Sequence, residues 1–396
     1  MTYKLLFTLD YEIHGNGDGN PQALMVEPTY RLMNLLEEYK QHLVIMADVA
    51  EILCFRRYRE QTGRDDFHVA EIEEQLRDAI RRGHDVQLHI HSSYFRAEWD
   101  GKHFDQCIED YNMAALPIER IREMVGECVH YLETLLRPVR ADYKVWLFRA
   151  ANWSMMPTPA LYQVLTEYGI THDTSVYKGG CQGGSVCYDY RTAYDNLLPY
   201  KASAENINDY DPAGAITELP IYTEMRPFYD FVSPIRLYRM LRAKLHRHKR
   251  PAGAGAPMAA AAVPSVQKES ASSVVGVETE VVSSVAGQKE RQRIEQADNR
   301  RITLRSFFTR SPLKMDFNQL RSRQLIAMLR HIESRLTVLE NQPTGTGTSS
   351  NHAGAVSGKC TKPIPVVLIG HSKTFIPYNE TTLRPFLRQL SKKTNR

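Results

Sequence analysis

Gly83-His84-Asp85-Val86-Gln87-Leu88-His89-Ile90-His91 decides how the chain is read. Val86, Leu88 and Ile90 fall on one side and Gln87, His89 and His91 on the other, a period of two that marks a β-strand. Just before it, Val69, Ile72, Leu76 and Ile80 repeat at helical spacing. Gly83 stands where that helix must stop, and glycine takes the left-handed conformation that closes a helix. A helix delivering the chain into a strand is the repeating unit of a parallel sheet with helices packed outside it. His89 and His91 share one strand face about 7 Å apart along the backbone, so their imidazoles can converge on one metal ion. Paired histidines on a polar strand face can equally look into solvent, and this stretch alone leaves both readings open.

The same alternation extends outward in both directions. Tyr3 to Leu9 is an apolar strand entering a glycine-rich loop, His14 to Pro21. Leu32, Leu35, Leu36, Tyr39 and Leu43 mark a helix, and Leu43 to Ala47 a second buried strand. Further strands are expected at Val145 to Arg149, Ala215 to Ile221 and Pro365 to Ile369, with helices at Ile118 to Leu136 and Ala160 to Tyr168. Strands alternating with helices predict an α/β fold.

The main part of that fold is expected over 1–250. Segment 251–290, rich in Ala, Gly, Pro, Ser and Val, reads as a flexible low-complexity insertion, and 341–362, dominated by Gly, Thr, Ser and Asn, as a second. Between them, 291–340 carries helical patterning through Leu320, Leu325, Met328, Leu329, Ile332, Leu336 and Leu339, and is expected to pack on the main body. Residues 363–396 supply a last strand and a C-terminal helix.

The 396 residues hold 50 Lys+Arg against 46 Asp+Glu, a net charge of +4, which argues for neither nucleic acid nor an anionic membrane as partner. The run Arg242 to Arg250 reads as a solvated helix end, with peripheral contact to a membrane or a nucleotide-linked substrate as its alternatives. Leu5 to Leu9 is too short for a signal segment or a membrane span. The six cysteines form no CxxC pair, so the chain reads as cytoplasmic; Cys181 and Cys187, flanking a glycine-rich turn, are the pair that would bridge or bind metal. His14, His84, His103, His130 and His172 read as surface or packing residues.

In Phe7-Thr8-Leu9-Asp10-Tyr11-Glu12 an apolar strand ends in two carboxylates at i and i+2, again on one face. Such a pair can divide labour, one acid binding a cation and the other taking a proton from water. Taken together, these two segments resemble the first two motifs of the polysaccharide deacetylase family, carbohydrate esterase family four. Phe148-Arg149-Ala150-Ala151-Asn152-Trp153 resembles the third, Thr171-His172-Asp173-Thr174-Ser175-Val176 the fourth and Leu368-Ile369-Gly370-His371-Ser372-Lys373 the fifth. The five stand in the family's order over residues 7–376. Two departures are visible: the familiar adjacent aspartates become Asp10 and Glu12 with Tyr11 between, and histidines usually four apart become His89 and His91, as in a divergent branch with an HxH motif.

The resemblance implies an irregular (β/α) barrel of the polysaccharide deacetylase type carrying the two flexible insertions, with its site at the C-terminal ends of the strands. It implies a divalent metal, zinc first with cobalt or nickel as alternatives, on Glu12, His89 and His91. Asp10 is then the base, Arg149 its ion-pair partner, His371 the acid and Asp173 the group that keeps His371 charged and turned. Asn152 and Trp153 are the substrate-binding candidates, Trp153 as a sugar-stacking surface or as ordinary packing. The implied activity is hydrolysis of an N-acetyl group from an amino sugar or glycan intermediate. Hydrolysis of another linear or cyclic amide, and a metal-free binding protein on the same fold, are the alternatives.

Overall fold

The computed structural model of the protein describes residues 1–13, 19–231, 310–341 and 362–394. The loop expected at His14 to Pro21 is therefore covered only from Gly19, while the basic run Arg242 to Arg250, the insertion 251–290 and nearly all of 341–362 lie outside the described residues. Two units are distinguished, Met1–Arg226 with Arg310–Arg396, and Pro227–Thr309. Of the second, the description reaches only Pro227 to Phe231, with a short 3-10 turn at Phe228–Phe231.

In the first unit Tyr3–Tyr11 (β1), Leu43–Asp48 (β2), Asp85–Ile90 (β3), Leu147–Ala150 (β4), His172–Asp173 (β5), Tyr200–Lys201 (β6), Thr217–Glu218 (β7) and Ile364–His371 (β8) make one sheet in the order β6-β7-β5-β4-β3-β2-β1-β8. All pairings are parallel except β6 with β7. Past β7, Ile221 forms a parallel bridge with Val367 of β8, and the Tyr222 amide donates to the Val367 carbonyl at 3.1 Å. The sheet is therefore strongly curled, with the segment after β7 reaching β8, as in the expected irregular (β/α) barrel.

Alternation sorts the barrel interior into two levels. Val44, Met46, Leu147, Leu219, Ile221, Val367 and Ile369 form one buried apolar cluster, with Leu6 packed against it. Each such side chain contributes about 1.5–3 kcal/mol on burial, so this floor is dry and stable. Two residues further along the same strands the inward positions turn polar: Asp48 follows Met46, Arg149 follows Leu147 and His371 follows Ile369. On β1 the order is Leu6, Thr8, Asp10, with Glu12 just beyond the strand.

Among the described residues the α-helices are Glu27–Glu37 (α1), Val49–Thr62 (α2), Val69–Arg81 (α3), Ile118–Leu136 (α4), Thr158–Glu167 (α5), Ser322–Glu340 (α6) and Pro377–Thr394 (α7). In α3 the expected stripe of Val69, Ile72, Leu76 and Ile80 is buried, and Gly83 follows the helix with φ +82°. Among the described residues, no helix is long and apolar enough to cross a membrane.

One segment departs from its helical reading. Arg310–Lys314, inside the stretch expected to be helical, is a strand paired with Thr223–Pro227, and the helix begins only at Ser322. Pro312 explains the change, because proline removes an amide donor and pushes the preceding residue into extended conformation. Leu313, Met315 and Phe317 are then buried at a period of two. From there the chain crosses β8: the Phe317 amide donates to the Ile369 carbonyl at 3.0 Å, and Asn318 Nδ2 donates to the His371 carbonyl at 3.0 Å. Gly370 permits that approach, since a Cβ there would lie 2.2 Å from both Asn318 Oδ1 and Phe317 Cε2. Gly370→Ala is expected to lower stability by about 1–3 kcal/mol through this overpacking. An unchanged urea midpoint would refute the account.

Candidate active site

Asp10 lies on the inner face of β1, in register with His371 of β8. Its Oδ1 accepts from Arg149 Nη1 at 2.5 Å, and its Oδ2 lies 3.4 Å from His371 Nε2. Arg149 is fully buried and each of its three nitrogens has an acceptor: besides the bond to Asp10, Nη2 donates to Thr8 Oγ1 at 2.7 Å and Nε to the Thr174 carbonyl at 3.0 Å, while the Thr8 hydroxyl donates to the Leu368 carbonyl. Burial pushes the Asp10 carboxyl up, but Arg149, then His371 and His89, outweigh it and hold the acid below its ordinary range. Asp10 is thus a buried carboxylate that stays ionised.

Glu12, His89 and His91 converge beside it. One candidate ligand atom from each lies within 4.8 Å of the others, and all three residues are buried. Glu12 Oε2 is 2.8 Å from His91 Nε2 and 3.3 Å from His89 Nε2, and makes no well-formed hydrogen bond. His89 has its Nδ1 2.8 Å from the Arg149 carbonyl, a contact that fixes the ring and leaves Nε2 as the ligating atom. The strand end is steadied by Asp48, whose Oδ1 accepts the His91 amide at 3.0 Å. Burial lowers His89, yet Glu12, Asp10 and Asp48 together raise it to about 9. Lys373, His91 and His89 likewise overcome burial to hold Glu12 well below the usual carboxylate range. One carboxylate and two imidazoles in a field that favours positive charge fit a divalent cation with room left for further ligands.

These residues line a cavity of about 320 Å³ together with Ala150, Asn152, Trp153, Gln319, Lys373 and Thr374. Asn152 and Trp153 follow β4 with φ of +50° and +60°. Tryptophan rarely adopts that conformation, which costs on the order of 1–3 kcal/mol and is held here by Tyr190, whose hydroxyl donates to the Trp153 carbonyl at 2.5 Å. The indole meets His371 edge-on at 6.2 Å between ring centroids. Lys314 places its ammonium 3.2 Å from the Trp153 ring centroid and 4.3 Å from that of Tyr177, so one face of the proposed sugar platform carries a cation.

Asp173 is not brought to His371. Its carboxylate accepts from the Ser175 amide at 3.0 Å and the Ser175 hydroxyl at 2.8 Å, and shares a hydrogen bond with Glu218 of the neighbouring strand β7. The expected support of the His371 imidazole by Asp173 is therefore corrected: the acids that act on His371 are Asp10, Glu12 and Asp316, and burial outweighs them so that the imidazole titrates below its ordinary value. Neighbouring strands end at different levels in an irregular barrel, and β5 stops after two residues.

Sequence reasoning missed Thr8, Asp48, Glu218 and Lys373. Thr8 and Asp48 each occupy the inward position next to an assigned residue or at a strand end, a signal available from alternation. Lys373 Nζ lies 2.7 Å from Glu12 Oε1, and its position two residues after His371 mirrors that of Glu12 two residues after Asp10.

No protein-family model matches this chain, and no curated protein does. Among solved structures it is similar to a protein from Mycobacterium smegmatis assigned as a polysaccharide deacetylase, at 12% identity and a TM-score of 0.41, over 98% of this chain and 84% of that one. It is similar to PuuE allantoinase at 11% identity and a TM-score of 0.41 over the same shares. The family 4 carbohydrate esterase from Streptomyces lividans matches at 14% and 0.27, over 44% of this chain and 62% of that one. These are likenesses of fold.

The Asp173–Glu218 pair yields a pH test. Burial pushes both acids up, and the bond between them raises Glu218 while lowering Asp173, so Glu218 holds the proton in the folded chain. A raised folded pKa stabilises only below the unfolded value and is lost as pH rises through the folded one. Glu218→Gln keeps a neutral donor without that loss. Its melting temperature relative to wild type is expected to climb between about pH 5 and pH 8, and a flat difference across that range would contradict the assignment.

Proposed function

We propose that the protein is a metal-dependent hydrolase that removes an N-acetyl group from an amino sugar or glycan intermediate. The observation that carries this reading is a buried, ionised Asp10 held between Arg149 and His371, beside the Glu12–His89–His91 cluster, at the open end of the barrel. A divalent cation on those three residues, zinc first with cobalt or nickel as alternatives, supplies Lewis acidity toward the acyl oxygen and acidifies water.

The remaining work falls to side chains. Asp10 takes a proton from the water that attacks the amide carbonyl carbon, and Arg149 keeps Asp10 ionised and aimed. His371 rests neutral because of its burial, so the proton it delivers to the departing nitrogen is the one Asp10 has gained, across 3.4 Å. The C–N bond then breaks, giving acetate and the free amine. A second reading, hydrolysis of a smaller linear or cyclic amide, is favoured by Lys314, which covers one face of Trp153 where a sugar ring would stack. Cytoplasmic action is proposed from the free cysteines at 54, 107, 128, 181 and 187.

Acetate release from a panel of N-acetylated sugars and their carrier-linked forms tests the substrate class, and turnover of simple amides alone favours the second reading. Asp10→Asn is expected to cut turnover by about 10²–10⁴-fold while cation uptake persists. His89→Ala is expected to lose the cation. Normal turnover in the Asp10 variant would remove the base from the mechanism; wild-type protein that takes up no zinc, cobalt or nickel would favour a metal-free binding protein on this fold.

A further inference from the structure

We propose that Lys373 is a positioning residue that restricts Glu12 to ligation through one oxygen and so keeps a coordination position free for water or substrate. The proposal rests on the cation-binding reading of Glu12, His89 and His91 and deepens it.

β1 and β8 run parallel and their register ends with Asp10 opposite His371; just past it, Glu12 follows the end of β1 and Lys373 lies in the 3-10 turn Ser372–Thr374 that follows β8. Two acids two residues apart at the end of β1 thus meet a histidine and a lysine two residues apart at the end of β8. The first pair is Asp10 Oδ2 with His371 Nε2 at 3.4 Å, and the second is Glu12 Oε1 with Lys373 Nζ at 2.7 Å. Backbone contacts lock the second pair in place: the Glu12 amide lies 3.3 Å from Ser372 Oγ, and that same oxygen lies 3.3 Å from the Glu12 carbonyl.

The consequence lies in how Glu12 divides its two oxygens. Oε1 is turned to the ammonium while Oε2 points between the imidazole nitrogens of His89 and His91. A glutamate side chain has one more torsion than an aspartate, and both of its oxygens can swing onto one cation. Two imidazoles and a chelating carboxylate would fill four positions of a tetrahedral ion, whereas catalytic sites use three protein ligand atoms and leave the fourth open. An ammonium bonded to Oε1 opposes that swing. Arginine at the same place retains the charge and the donor; methionine retains the length of the chain and neither.

The test uses the full chain, stripped with a chelator and titrated with cobalt(II), read by visible absorption and by equilibrium dialysis. Wild type is expected to bind a single equivalent with the intense visible bands of a low-coordinate ion. Lys373→Met is expected to bind cobalt but to lose that intensity as Glu12 chelates, and Lys373→Arg to restore it. If the methionine variant does not fold, Lys373→Gln is read the same way, because its shorter side chain falls short of Oε1. A cobalt spectrum unchanged by removal of the lysine, at full occupancy, overturns the proposal and leaves the cation reading intact. Wild-type chain that takes up no cobalt overturns both.

Discussion

The buried pair of Arg149 and Asp10 is the constraint on which the rest of the site depends. Removing a guanidinium and a carboxylate from water costs several kcal/mol per ion, and the attraction between them offsets this only where the remaining hydrogen-bonding groups are also satisfied. Here each guanidinium nitrogen has an acceptor: Thr8 and Asp10 on β1 and the carbonyl of Thr174 just past β5, which lie on opposite sides of β4 in the sheet order. The pair therefore ties β4 across the barrel interior to β1. It also sets the chemistry, since an acid at this depth would otherwise hold its proton.

Beneath the pair lies the apolar floor of Val44, Met46, Leu147, Leu219, Ile221, Val367 and Ile369, which keeps water out from below. Electrostatic interactions above such a floor are stronger than at an open surface. That accounts for His89, raised to about 9 despite a burial that should lower it. The carboxylates around it create a potential that attracts a proton in the ion-free chain, and a divalent cation takes the place of that proton when the imidazole becomes a ligand. The carbonyl of Arg149, 2.8 Å from His89 Nδ1, links the two halves of the site through one residue.

Much of this was legible in the sequence, for reasons that can be traced to particular residues. The alternation of Val86 to His91 identified both a strand and the two inward histidines, because a half-polar strand has no other regular reading. Helix α4 was readable over Ile118–Leu136 from its uninterrupted apolar stripe. By contrast α2 left no stripe: Val49, Ala50, Glu51, Ile52, Leu53, Cys54 and Phe55 are all buried, so its first two turns present no polar face to give a period. Asp173 was misplaced for a different reason. A motif places a residue at a strand end but says nothing of which neighbour lies alongside, and Glu218 sits in a segment with no motif at all. Lys373 lies two residues past an assigned histidine, and its meaning required the β1–β8 register, which lays the ends of the two strands side by side.

That register also explains the shifted acid. In a strand that continues regularly to Tyr11, position 11 faces away from the barrel interior, and the tyrosine there is fully buried on the outer side. A carboxylate at that position would be fully buried, and burial first, then the charges of Tyr30, Tyr131 and Glu51, already disfavours ionisation of Tyr11. The next inward position is 12, one step past the last residue of the strand. From there the longer side chain of glutamate reaches back to the histidines of β3, two strands away across β2. The length of that reach is also what lets its carboxylate turn, and a residue in the turn just past β8 is where the turning can be stopped. Acid spacing, side-chain length and the lysine opposite are in this sense one structural choice, made by carrying β1 straight on through Tyr11.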